Sequence, residues 1–364
     1  MGERLVLVPD APIRERRFAI GAIGAGFIMA DVQLAAYAEA GFRVAAIASR
    51  TPARAAAAAA RWSVPVVHET PAALIADPAI EILDLAFPPD CQPALIRAAL
   101  GQKHIRGILA QKPLATTYAA ARALVEEAEA SGKVLAVNQN MRYDQAMRAL
   151  RQVLDAGHLG KPVLATIEMR AVPHWQGYLA GYERLTLLNM SIHHLDILRF
   201  LFGEPLDIHT VARPDPGTRF AHRDGIAAST LRFPGGLIAL TLEDVWAGPK
   251  GLARQSITWR VEGTDGLASG TIGWPDYPEG SPSRFAYAAA ATGGAWIESA
   301  WTTRWFPQAF AGTMEQLQYA VATGTKPAIS GADNLATMAL VEAAYRSVER
   351  GRPVAPAEIT EQRA

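Results

Sequence analysis

Three stretches of this 364-residue chain place reactive or ligand-accepting groups at spacings that chemistry can use. In Ile23-Gly24-Ala25-Gly26-Phe27-Ile28, two glycines close an apolar run and open a helical one. In Ala110-Gln111-Lys112-Pro113, an ammonium follows a second apolar run. The proline disfavours helical geometry at Lys112 and holds it in an extended turn. In Asn189-Met190-Ser191-Ile192-His193-His194, an amide and two imidazoles stand at the opening of a helix. An imidazole, with an unperturbed pKa of about 6.5, takes and returns a proton close to neutrality. A lysine donates to an oxygen that is gaining charge. Neighbours on a helix point about 100° apart, so only one of His193 and His194 can face a given cleft.

The elements that must position these groups follow from periodicity. Phe18 to Ile23 reads as a short strand, and Phe27 to about Ala40 as the helix after it. A strand, a turn on Gly24 and Gly26, and a helix N-terminus form the layout of a dinucleotide site. The first glycine permits the turn, the second lets a pyrophosphate approach the backbone, and the helix supplies N–H donors. Strand-like runs at 18–23, 43–48, 64–67, 82–86, 107–110 and 134–138 alternate with helical patterns such as 117–131. That alternation predicts an α/β, doubly wound parallel sheet, a Rossmann dinucleotide-binding domain over 17–138, preceded by an arm at 1–16. From 139 to 364 the pattern changes. Helices at 145–156 and 191–201 accompany strands at 163–170, 207–212, 226–232, 236–243 and 256–261. This predicts a C-terminal α+β domain with a large, mostly antiparallel sheet, serving substrate binding and oligomerisation. The open sheet would leave an apolar face, which implies a homo-oligomer, either dimer or tetramer. Residues 275–307, with Trp296, Trp301 and Trp305 among small residues, read as a long irregular segment suited to a lid or subunit contact.

Composition removes several function classes. Lys+Arg and Asp+Glu balance at 35 each, so no nucleic-acid or membrane-surface partner is expected. No apolar run reaches the roughly 18 to 20 residues of a membrane span. The single cysteine, Cys91, excludes an intrachain disulfide and suits a reducing, cytoplasmic compartment. Arg16-Arg17 before an apolar run resembles a twin-arginine export signal, but cleavage near Ala30 would remove the first strand and both glycines. The eight histidines hold no H-x-x-x-H pair, and there is no cysteine cluster, so no metal site is expected.

The glycine turn, Gln111-Lys112-Pro113 and Asn189-x-x-x-His193 together resemble the Gfo/Idh/MocA family of nicotinamide-dependent sugar and polyol oxidoreductases. The resemblance runs from about Phe18 to Gly351 and includes Ala86-Phe87-Pro88-Pro89 and Asn140-Met141-Arg142-Tyr143. It implies hydride transfer between a nicotinamide cofactor and a carbohydrate or polyol, with Lys112, His193 and Asn189 as the catalytic set. The family spacing selects His193 over His194 as the general base, and Asp196 becomes a helix-support residue. Cofactor contacts are implied for Gly24, Gly26, Phe27, Ile28, Ser49, Arg50, Pro88, Gln111 and Lys112. Substrate contacts are implied for Arg142, Tyr143, Arg170, His174, Trp175, Asn189 and His193.

Three positions depart from the family pattern. Gln111 stands for its glutamate, Met29 for a glycine or alanine, and Asn189 for its aspartate. An amide at 189 can orient a substrate but cannot act as a base. The end of the second strand carries Ser49-Arg50-Thr51 in place of an acidic residue. A guanidinium there suits a 2′-phosphate, which favours NADP, with NAD as the alternative. Two other readings fit the motifs: a redox-neutral, NAD-dependent glycoside hydrolase and a non-catalytic dinucleotide sensor.

Overall fold

The computed structural model describes residues 5–172, 176–252, 254–273 and 282–361. His174 and Trp175 lie outside the described residues. The chain forms two compact units, one of Ala11–Asn140 with Phe306–Leu335, the other of Met1–Asp10, Met141–Trp305 and Ala336–Ala364.

The first unit holds six parallel strands: β1 (Ile20–Ile23), β2 (Val44–Ala48), β3 (Val66–His68), β4 (Ile82–Leu85), β5 (Gly107–Ala110) and β6 (Val134–Val137). Their order is β3-β2-β1-β4-β5-β6. Every residue of β1, β4 and β5 is buried. Unbroken apolar runs form such strands because helices cover both faces of a parallel sheet. The order reverses between β1 and β4, the switch point at which doubly wound sheets bind ligands.

The expected helix from Phe27 to Ala40 is present in two parts: a π-helical turn, Ile28–Gln33, and the α-helix Leu34–Ala40. Gln33 Nε2 donates to both Asp84 oxygens at 2.9 and 2.8 Å, and the Tyr37 hydroxyl donates to Asp84 at 2.7 Å. Residues four apart share a helix face, so Gln33 and Tyr37 reach one buried carboxylate on β4 together. Burial raises that carboxyl to about 7.

The first unit takes in more than the residues before 139. Residues 306–335 return to the first unit. The helix Phe310–Thr323 lies against β5, where a Cβ on Gly107 would come within 2.8 Å of Val321 and 2.9 Å of Leu317. Gln318 exchanges hydrogen bonds with the backbone of Phe18, and Val137 N donates to Ile329 O at 2.8 Å. The arm divides as well. Val8 pairs with Gln152 in the second unit, while Arg14 pairs with Glu315 in the first.

The second unit is built on an eight-stranded sheet: β7 (Pro162–Arg170), β8 (Asp207–Arg213), β9 (Ile226–Arg232), β10 (Ile238–Asp244), β11 (Ser256–Gly263), β12 (Gly266–Thr271), β13 (Arg284–Ala289) and β14 (Ile297–Ser299). The order is β14-β13-β12-β11-β7-β10-β9-β8, antiparallel except for β7 with β10. Burial alternates along the strands, so one face packs on helices and the other stays open. On that open face Val211 is 62% exposed and Leu240 40%. The segment expected to be irregular over 275–307 carries β13 and β14 in its described part.

Candidate active site

In the first unit the glycine turn fits a dinucleotide. Gly24 has φ +118°, and a Cβ there would lie 2.6 Å from Ala86 O. Only glycine permits both the left-handed backbone and this closeness of the ends of β1 and β4. Gly26 faces no protein atom within 4 Å of an added Cβ, so its backbone is open to a phosphate group. Gly24 N donates to Ala48 O and Ala86 N to Ile23 O, both at 2.8 Å, which locks the three strand ends together. Phe27 stacks on Phe306, with ring centroids 6.4 Å apart.

Past β2, Ser49 is buried and accepts from Thr51 N at 3.3 Å. Arg50 is exposed, and its guanidinium lies 5.2 Å from the centroid of the Phe87 ring. The Ala86-Phe87-Pro88 turn and the Ser49-Arg50 turn therefore meet beside the switch point.

Lys112 follows β5, and its peptide bond to Pro113 is cis. Its turn is braced by Gln92, a fully buried residue that the sequence reading missed. Gln92 Nε2 donates to Gln111 O at 3.0 Å and to Pro113 O at 3.1 Å, while Gln92 Oε1 accepts from Gln111 N at 2.6 Å. The Lys112 residue is half-buried by area. The protein mass around its ammonium disfavours the charge and pulls its pKa down to about 7.

In the second unit, Asn189 sits on a π-helical turn, Leu187–Ser191, that runs directly into the helix Ile192–Phe202. Asp224 sets this entry. Its carboxylate accepts from Leu185 N at 2.8 Å, Leu187 N at 2.7 Å and the Tyr345 hydroxyl at 2.8 Å. Burial raises the Asp224 carboxyl, with those donors opposing the shift. The Tyr178 hydroxyl donates to Asn189 Oδ1 at 3.3 Å. His194 is pinned through Nδ1 to Glu243 of β10, at 2.9 and 3.0 Å, with both side chains buried. His193, about 100° round the helix, meets Trp305 instead, ring centroids 5.8 Å apart at 88°.

Two expected substrate residues have carboxylate partners within the second unit. Arg142 is buried, and its Nε and Nη2 both donate to Asp196 at 2.6 Å. Its guanidinium is committed to supporting the helix that carries His193. Arg170 pairs with Glu168 on β7 and lies on the sheet face opposite to the one that carries Glu243. In-register neighbours share a face of the sheet, so Arg170 goes with Asp244, whereas Glu243, which holds His194, goes with Met169. Tyr143 is buried, with the Arg148 guanidinium 6.0 Å from its ring centroid. Among the described residues no group of three His, Cys, Asp or Glu side chains could hold a metal ion, and no helix is long and apolar enough to cross a membrane.

The comparisons with known proteins agree with this geometry. Residues 18–139 match the oxidoreductase family with an NAD-binding Rossmann fold, and residues 147–269 match the GFO/IDH/MocA C-terminal domain. The chain belongs to the Gfo/Idh/MocA family. It is an oxidoreductase of the sugar- and polyol-dehydrogenase kind, built on an NAD-binding Rossmann unit. A D-apiose dehydrogenase from Paraburkholderia graminis is 29% identical over 93% of this chain and 90% of its own length. An inositol 2-dehydrogenase from Streptomyces avermitilis is 32% identical over 54% of this chain and 57% of its own. An Agrobacterium radiobacter oxidoreductase, solved in complex with NAD+, L-tartaric acid and magnesium, superposes with a TM-score of 0.80. It is 25% identical and covers 94% of this chain and 99% of its own.

Proposed function

We propose that this chain interconverts a hydroxyl and a carbonyl on a carbohydrate or polyol, using NADP in preference to NAD. The observation that carries the reading is Lys112. It is a lysine placed at the end of a Rossmann strand, its turn braced by Gln92 and its ammonium disfavoured by burial, which makes it a ready donor to an oxygen that gains charge near neutral pH. A bound nicotinamide supplies the hydride acceptor or donor. The residues supply the rest. Gly24, Gly26, Phe27, Ile28, Pro88 and Gln111 hold the dinucleotide. Lys112 donates to the reacting oxygen as it gains charge, His193 takes the hydroxyl proton, and Asn189 orients the substrate by neutral hydrogen bonds. Ser49 and Arg50 receive the 2′-phosphate. The neutral hydroxyl, the absence of an acidic side chain at Ser49-Arg50-Thr51 and the seating of Arg50 over Phe87 support that choice.

A second copy of the chain covers the open sheet face, where Thr166, Val211, Leu240, Thr258 and Ala286 line a broad trough. The lone Cys91 supports a reducing, cytoplasmic setting.

The test is the absorbance of reduced nicotinamide across a panel of sugars and polyols, with NAD and NADP side by side. A substrate-dependent rise, larger with NADP, supports the reading. Sugar release from a glycoside without net reduction would replace it with redox-neutral hydrolysis. Dinucleotide binding with silence across the panel would leave a sensor.

A further inference from the structure

We infer that Asp224 and Tyr345 are positioning residues that together cap the helical turn carrying Asn189 and so set where Asn189 and His193 stand, an inference that rests on the roles proposed for those two.

A helix start leaves four backbone N–H groups without partners inside the helix. Here the first bond within the turn runs from Asn189 N to Leu185 O, at 3.1 Å. The N–H groups of Leu185, Thr186, Leu187 and Leu188 come before it. The local sequence supplies no cap. Thr186 makes no capping bond, and its hydroxyl donates to Gly225 O at 3.3 Å. All four donors are answered from distant parts of the chain. The Asp224 carboxylate accepts from Leu185 N at 2.8 Å and from Leu187 N at 2.7 Å, and its backbone oxygen accepts from Thr186 N at 3.2 Å. The Tyr345 hydroxyl accepts from Leu188 N at 3.2 Å and donates to Asp224 Oδ2 at 2.8 Å. A carboxylate at this end also faces the positive end of the helix dipole.

The frame behind the cap is firm. Asp224 and Tyr345 are both buried. Gly225 N donates to Arg213 O and Val245 N to Gly225 O, both at 3.0 Å, which ties Asp224 to the ends of β8 and β10. A Cβ on Gly225 would lie 2.6 Å from Asp215 N, so this segment has no room to shift. The Arg184 guanidinium lies 4.3 Å from the centroid of the Tyr345 ring and donates to Glu342 at 2.7 Å. Asn189 is the residue directly after the capped four. His193 is four further on, a neighbour on the helix. A misplacement of about 1 Å at a reacting group costs on the order of 10²-fold in rate.

Hydrogen exchange at the amides of residues 185–188, read by mass spectrometry on the full chain, tests the cap without substrate. Tyr345→Phe keeps the ring and removes the hydroxyl. Asp224→Asn keeps the shape and sets an amide NH₂ against one of the donors. Both should exchange these amides roughly tenfold or more faster than the wild type. Unchanged exchange in both overturns the cap. Turnover is read as nicotinamide reduction with the fastest substrate of a panel that includes D-glucose, D-xylose and myo-inositol. The kcat of folded protein should fall roughly tenfold or more in Asp224→Asn and roughly threefold or more in Tyr345→Phe, with the cofactor KM unchanged. A cap that only stabilises the fold lowers the unfolding midpoint and leaves kcat intact, so faster exchange beside a normal kcat overturns the positioning role. If Asp224→Asn does not fold, Tyr345→Phe carries both readings. Normal turnover in Asn189→Ala and His193→Gln overturns the roles on which the inference rests and leaves the cap standing.

Discussion

Arg142 and Asp196 form a buried, two-pronged ion pair, Nε to Oδ2 and Nη2 to Oδ1, both at 2.6 Å. Thr337 donates to the same carboxylate at 2.7 Å and accepts from Arg199 at 2.6 Å. Removing one partner leaves a buried charge uncompensated, so Asp196→Asn should cost about 3–5 kcal/mol of stability. Denaturant unfolding measures it. Asp196→Leu combined with Arg142→Met should recover much of that loss, and a double variant as unstable as the single one would contradict the account.

In the proposed role, Lys112 should set a pH limb of activity. Its pKa falls from 10.5 to about 7 by burial, so the balance between ammonium and amine shifts across neutrality. The profile of kcat/KM should bend near pH 7, and Lys112→Met should lose that bend along with roughly 10² to 10⁴-fold of turnover. In stability the sign is separate. Between about 7 and about 10 the unfolded chain holds a proton that the folded lysine has released, so stability rises with pH in that window. A flat activity profile in the wild type would remove Lys112 from the chemistry.

If Arg50 receives the 2′-phosphate as proposed, it sorts the cofactors. Arg50→Ala should raise the KM for NADP by roughly tenfold or more while changing that for NAD much less, because a charge-assisted pair with a phosphate is lost only in the first case. Equal effects on both would assign Arg50 to the adenine or to solvent.

Asp84 makes the first unit less stable as pH rises. Its carboxyl moves from 3.8 to about 7 through burial, so between those values the folded chain keeps a proton that the unfolded chain has lost. Stability therefore declines through this window. Asp84→Asn, which can still accept from the Tyr37 hydroxyl, should flatten the component. Unfolding at a series of pH values reads it, and an unchanged slope would mean that Asp84 is ionised in the fold.

Leu240→Glu places a charge on the open sheet face without touching the inner one. Light scattering should show a smaller species than the wild type, with unit stability unchanged. A wild type that is already monomeric would leave the face to another partner.

The first unit was legible because its six strands are short apolar runs that end in turn residues, and each is present within about two residues of its expected place. The second unit was legible only where alternation was strong. In β12, Gly-Leu-Ala-Ser-Gly-Thr carries no β-branched run, so nothing in local preference marks Gly266–Thr271 as a strand. The face that Arg170 takes depends on register with β10, which sequence does not display. Gln92 and Asp224 were invisible for another reason. Each acts by binding backbone groups of a distant turn, which leaves no periodic signature. Gly24 was readable as a glycine position because the closeness of β1 and the turn after β4 leaves no room for a side chain there.

The return of residues 306–335 to the first unit has a consequence for how the chain is made. β5 and β6 leave the ribosome early, but the helix that covers β5 and the residues that bond to β6 come some two hundred positions later. Until Leu317, Gln318 and Val321 emerge, one flank of the Rossmann sheet stays bare and the backbone of Phe18 waits for its partner. The unit begun first is thus completed only after the strands of the second sheet have been translated. Its nascent form must be kept from aggregating while the second sheet is still being synthesised.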